Sequence, residues 1–98
     1  MCASGAIRGH VIFIDNFDNA VTNISKQMFN EFIHGPYSIF LPKYTLVSIS
    51  EHYHDVELGM CIAIFNAFGF LEIAINESSC AKMMSLKVLS PVSISTNN

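Results

Sequence analysis

Apolar residues along this chain come in short bursts separated by polar breaks, and the period inside most bursts is two. Residues 10–14, His-Val-Ile-Phe-Ile, are rich in β-branched and aromatic side chains and predict a strand. Residues 20–24 predict a second, shorter one. Ser25 then stands where a helix cap belongs, and Met28, Phe29, Phe32 and Ile33 fall on one face of a helix over residues 26–33. Gly35-Pro36 stops that helix. Strands are predicted at 37–41, ending near Pro42, and at 44–50, where the alternation resumes. Residues 52–59 form a polar loop. Residues 60–65 and 70–75 predict two strands joined by the turn Asn66-Ala67-Phe68-Gly69, in which Gly69 supplies a positive φ. A short helical piece over 77–86, with Ser78 as its cap, precedes a last strand through Val92 and Ile94. Pro91 sits where the start of a strand tolerates proline. About seven short strands with one or two short helices predict an all-β chain folded as a small closed or nearly closed barrel.

Composition narrows the reading. The 98 residues suffice for one domain, and a domain of this size buries roughly 60–70% of its unfolded surface. Half of the residues are hydrophobic and 13% are charged, which excludes a disordered tail. The apolar runs are too short to span a membrane, and residues 1–8 lack the long apolar stretch of a secretory leader. The cysteines, Cys2, Cys61 and Cys80, are odd in number and show no CxxC spacing. They read as free thiols in a reducing compartment, so a cytoplasmic location is expected. A net charge of −3 with five scattered Lys and Arg argues against a nucleic-acid partner.

The stretch Ile14-Asp-Asn-Phe-Asp-Asn-Ala-Val-Thr-Asn-Ile24 is the most unusual, because its polar turn encloses a large aromatic. In extended backbone Asp15, Phe17 and Asn19 share a face. A carboxylate, a ring and a carboxamide together suit a nucleoside or an amino acid: the ring stacks on a base, the carboxamide reads its edge, and the carboxylate takes an ammonium. The plainer reading is a hairpin turn whose Asp and Asn satisfy their own backbone, with Phe17 folded into the core. Glu72, among Leu71, Ile73, Ala74 and Ile75, reads most simply as a residue on a solvated face, and Asn66 and Asn76 as turn residues. His52 and His54, with Asp55 and Glu57 nearby, suggest metal by their density, but the two histidines alternate and no known spacing places a third ligand, so the stretch reads as a solvated loop; Tyr53 among them is a candidate aromatic wall. Neither a G-x-S-x-G elbow nor a glycine-rich phosphate loop occurs, and no Cys-His pair is evident by spacing.

"GHVIFIDNFDNAVTNI" resembles the signature that opens the C-terminal domain of the S-adenosylmethionine hydroxide adenosyltransferases, a family that also holds enzymes fluorinating or chlorinating S-adenosylmethionine. "HYHDVELGMCIAIFNAFGFLEIAINESSCAKMMSLKV" resembles its second signature. The likeness runs from about residue 7 to 95, leaving 1–6 as an extension and 96–98 as a tail. It departs at Asp18, where the family has Gly, at Ala67 for a common Ser, at Glu77 for a small residue, and at Lys87-Val-Leu-Ser-Pro-Val for a Gly-Asp turn.

The resemblance implies a small Greek-key barrel that works beside an N-terminal α/β domain, with no counterpart of that domain in these 98 residues. It implies S-adenosylmethionine as substrate and no cofactor, with water converting it to adenosine and methionine, in trimers that seat the ligand between neighbouring subunits. By resemblance Asp15 holds the methionine ammonium, Phe17 walls the adenine pocket, Asn19 bonds the adenine edge and Tyr53 packs against the base. The backbone around Ile75, Asn76 and Glu77 reads the other adenine positions, and the turn of Asn66, Ala67 and Phe68 meets the methionine carboxylate. No catalytic residue is expected in the barrel itself, which positions the substrate. The alternative is a catalytically inactive interaction or structural barrel, partly like an oligonucleotide-binding fold.

Overall fold

The computed structural model describes residues 2–3, 5–52, 61–75 and 85–97. In chain order the elements are β1 (Cys2–Ala3), β2 (Ala6–Ile14), β3 (Ala20–Ser25), α1 (Lys26–Phe32), β4 (Tyr37–Phe40), β5 (Thr45–Leu46), β6 (Cys61–Phe65), β7 (Phe70–Ile75) and β8 (Pro91–Thr96). All strand pairs between them are antiparallel, in the order β5-β4-β8-β2-β3-β7-β6, with β1 added on β2. The C-terminal strand is inserted between β2 and β4, the non-sequential order of a Greek-key barrel. Among the described residues, the two ends of the sheet approach each other through one isolated bridge, Ser50 to Ile64, where Ser50 N–H donates to Ala63 O at 2.8 Å. The barrel is therefore nearly closed, with one seam that is not laced by a ladder.

Long β2 serves two halves of the barrel. Its first part pairs with β8 over residues 6–10 and its last part with β3 over residues 11–14. A bulge between Val11 and Phe13 separates the two and re-aims the side chains beyond it. Inside, cross-strand neighbours form apolar rows. Ile7 faces Ile94, Ile94 faces Ile39, and Ile39 faces Leu46. Ala20, Ile73 and Ala63 form a second row. Ile7, Val11, Ile24, Ile39, Leu71, Ile73 and Ile94 are all buried in this core. Each such side chain contributes about 1.5–3 kcal/mol of transfer free energy.

Ser25 caps α1 as its sequence position predicts, accepting from Met28 N–H at 3.1 Å. The helix stops at Phe32, and Ile33 is its C-cap. Gly69 has φ +84, as the hairpin requires. Three expectations need correction. The first strand begins at Ala6 rather than at residue 10, because β8 and β1 pair with its less apolar beginning. The strand expected over 44–50 is a two-residue pairing at Thr45–Leu46, and among the described residues beyond it the chain pairs with β6 at the isolated Ser50–Ile64 bridge. Residues 85–86, the end of the expected second helix, form a turn and irregular backbone, and the rest of that segment lies outside the described residues.

Candidate functional site

The polar turn after β2 is built around the Asp15 carboxylate. Asp15 Oδ1 accepts from Phe17 N–H at 2.8 Å and from Asn19 N–H at 2.9 Å, and Asn19 Nδ2 donates to Asp15 Oδ2 at 3.3 Å. Backbone bonds close the turn: Asp18 N–H to Asp15 O and Asp15 N–H to Asn19 O, both 3.0 Å. Asp18 takes the left-handed conformation, φ +60, where the resembled family carries glycine. So residues 15–19 are a tight turn and not extended backbone. Asp15 and Asn19 meet by hydrogen bonding, while Phe17 is carried out of the turn and is 79% exposed. The plainer reading was right about the self-satisfied turn and wrong about Phe17, which lies outside the core.

Beside this turn runs a groove of about 500 Å³ over the outer face of the sheet. Its floor is a row of registered neighbours, Phe13 opposite Val21 and Val21 opposite Glu72. Asp15 lines it from the β2–β3 turn, and Asn66, Ala67 and Phe68 line it from the β6–β7 turn, with Phe70 beside them. Asn66 shapes that second turn. Its Oδ1 accepts from Phe68 N–H at 3.0 Å and Phe70 N–H at 3.1 Å, and its Nδ2 donates to Glu72 Oε1 at 3.4 Å. The tip presents Phe68, 87% exposed. Glu72 is only 5% exposed, which corrects its reading as a solvated residue: β7 is buried on both faces over residues 71–74.

Of the residues singled out in the sequence, the groove therefore brings together Asp15, Asn66, Ala67 and Phe68, along with Glu72. Phe17 and Asn19 do not line it. Ile75 ends β7 opposite Cys61, at the end of that strand nearest the 15–19 turn, since Ile73 pairs with Ala20. Tyr53, Asn76 and Glu77 lie outside the described residues, as do His54, Asp55 and Glu57. Sequence reasoning missed Phe13, Val21 and Phe70, which all read as ordinary strand residues. Phe13 reaches the outer face only because of the bulge, which leaves no mark in a hydrophobicity pattern.

Two signature residues turn out to hold the strand together. The register of β3 on β7 shifts between Val21 and Ser25. Thr22 fills the gap, its hydroxyl donating to Leu71 O at 2.8 Å and accepting from Ile24 N–H at 3.2 Å. Asn23 Oδ1 accepts from His10 N–H at 2.8 Å. Its side chain lies over Gly9, where an added Cβ would come within 2.5 Å of that oxygen. Burial raises the Cys61 thiol from its ordinary 9.0 to about 11, which keeps it protonated and unreactive at neutral pH. Among the described residues, no group of three His, Cys, Asp or Glu side chains is placed to hold a metal, and no helix is long and apolar enough to cross a membrane.

Comparison with known proteins fits this architecture. An uncharacterized conserved protein from Thermotoga maritima has a similar structure at 22% identity and a TM-score of 0.81, covering 97% of this chain and 38% of its own. A conserved hypothetical protein from Thermus thermophilus is similar at 23% identity and a TM-score of 0.74, covering 89% of this chain and 34% of its own. At these identities the likeness is one of fold, and the chain spans little more than a third of either structure. No curated protein matches. The profile of the SAM hydroxide adenosyltransferase C-terminal domain matches residues 9–93, which include every residue lining the groove. The chain belongs to the SAM hydroxide adenosyltransferase C-terminal domain family.

Proposed function

We propose that this barrel forms the S-adenosylmethionine-holding half of an adenosyltransferase site that converts S-adenosylmethionine and water to adenosine and methionine. In that reaction the water oxygen bonds to the ribose C5′, the C5′–sulfur bond breaks with its electron pair going to sulfur, and the water gives up a proton. Methionine leaves as a neutral thioether. The barrel supplies grip and orientation, and a partnering α/β domain supplies the groups at the reacting carbon. Adenosine is the ligand expected to report on the site in isolation, and a trimer is the assembly in which it is completed.

The observation that carries this reading is the groove joining Asp15 to the 66–68 turn within a chain of this family. Its chemistry suits an organic cation: aromatic rings at Phe13, Phe68 and Phe70 stand beside the carboxylates of Asp15 and Glu72. Asp15 Oδ2 keeps acceptor capacity beyond its one bond to Asn19, so an ammonium is accommodated without dismantling the turn. One observation favours the inactive-barrel reading. Asp15, Asn19 and Asn66 all have structural bonds to make, which account for their presence without a ligand.

Chemical-shift titration separates the two readings. With half a site, millimolar adenosine or S-adenosylmethionine binding is expected, about −4 kcal/mol. Amides of residues 13–21 and 66–77 should move saturably, and absence of movement rejects the pocket. The isolated chain should release no adenosine from S-adenosylmethionine. Addition of a family α/β domain in trans should restore slow turnover that Asn19→Ala weakens by about 1–3 kcal/mol.

A further inference from the structure

A second cavity, of about 430 Å³, lies at the unlaced seam on another part of the barrel, within the roughly 300–1,000 Å³ of small-molecule pockets. Among the described residues no ladder pairs β5 with β6 there, and an isolated bridge, Ser50 to Ile64, joins the two sides. Helix α1 lines the cavity with Lys26, Phe29 and Asn30, positions three and four apart on one face. The apolar lining combines three aromatic rings, Phe29, Tyr37 and Phe65, with Ile49 and Ile64. Phe29 packs edge-on against Tyr37, with centroids 5.0 Å apart, and against Phe65 at 5.7 Å. Tyr37 is held by its hydroxyl, which accepts from Ile49 N–H at 2.8 Å.

The polar lining carries both signs of charge. Lys26 comes from the helix and Glu51 from the segment that follows the bridge. Asn30, one helical turn on, adds a carboxamide that donates and accepts. An aromatic floor, a cation and a carboxamide on one wall and a carboxylate on another match a small molecule with an apolar body, a carboxylate and an ammonium. We propose that the seam cavity is a second ligand site, taking a free α-amino acid with an aromatic or other large apolar side chain as its zwitterion. The ligand carboxylate faces Lys26 and Asn30, its ammonium faces Glu51, and its side chain lies against Phe29, Tyr37 and Phe65.

The test is an amide chemical-shift titration of the chain with L-phenylalanine, phenylacetate, phenethylamine and benzyl alcohol. L-Phenylalanine should shift residues 26–30, 49–51 and 64–65 saturably, with millimolar affinity at about −4 kcal/mol. Lys26→Gln should weaken L-phenylalanine and phenylacetate roughly two- to fivefold and leave phenethylamine unchanged. Glu51→Gln should weaken L-phenylalanine and phenethylamine by a similar factor and leave phenylacetate unchanged. Both replaced side chains are exposed, and an unchanged amide spectrum away from the cavity checks that each variant keeps the fold. No saturable shift by L-phenylalanine overturns the site. Binding of benzyl alcohol as tight as that of L-phenylalanine, or indifference to both substitutions, overturns the zwitterion assignment. Adenosine reports on residues 13–21 and 66–77 instead, so either site can fail without the other.

Discussion

Leu89 is 72% exposed and has φ +77, at the third position of the turn in which Ser90 N–H donates to Lys87 O at 2.9 Å. That position normally takes glycine, because a Cβ crowds the following carbonyl in left-handed backbone. Leu89→Gly should therefore raise stability by about 0.5–1 kcal/mol, the strain relieved less the added freedom of the unfolded chain. A higher urea midpoint at unchanged slope is the expected result. Asp18→Gly, at φ +60, should gain less, since Asp visits this region more readily than Leu. Cys61 makes a second prediction at this scale. Its folded pKa of about 11 lies above its ordinary 9.0, so the unfolded chain releases the proton first as pH rises. The stabilising contribution is full below pH 9.0 and is lost as pH climbs toward about 11, which unfolding midpoints across that window measure. Cys61→Ser should flatten this part of the profile.

Among the elements, β3 is the one that side chains complete. Its backbone shifts register against β7 between Val21 and Ser25, where the Thr22 hydroxyl bonds to Leu71 O of β7, while on the other side the Asn23 side chain accepts from His10 N–H of β2. Asn23→Ala removes the acceptor for His10 N–H and should cost about 1–3 kcal/mol. Asn23→Asp keeps an acceptor and should recover part of that loss. Denaturant unfolding of the three proteins checks this, and equal stability of all three would show that water replaces the Asn23 contact. The Thr-Asn-Ile part of the family signature thus has a structural explanation here, independent of any ligand.

For the whole molecule the decisive element is β8. It pairs with β2 through residues 91–95 and with β4 through residues 93–96, so the last strand of the chain joins the two sides of the barrel. Ile94 sits at its centre between Ile7 and Ile39 and is fully buried. Ile94→Ala should cost about 2–5 kcal/mol, against total stabilities of about 5–15 kcal/mol for small domains. Deletion of residues 91–97 should abolish cooperative thermal unfolding monitored by circular dichroism. A truncated chain that still melts in one sharp transition would mean that β2, β3, β6 and β7 fold without it.

Local physics explains what was readable in the sequence. Alternation marks the strands at residues 10–14, 20–24 and 70–75, Ser25 marks the helix start, and Gly69 marks the hairpin, because each depends on neighbours a few residues away. The two signature stretches were enough to point to the family. Side-chain placement across strands was decided only by tertiary structure. The Phe13 bulge depends on how β2 divides its pairing between β8 and β3. Glu72 is buried because β7 is covered on both faces, and Phe17 projects because Asp15 closes the turn beneath it. The seam cavity lies where β5 is short and, among the described residues, an isolated bridge rather than a ladder meets β6. Strand register and barrel closure are set by contacts between residues far apart in the chain, and a periodicity of two carries no information about which strand lies opposite.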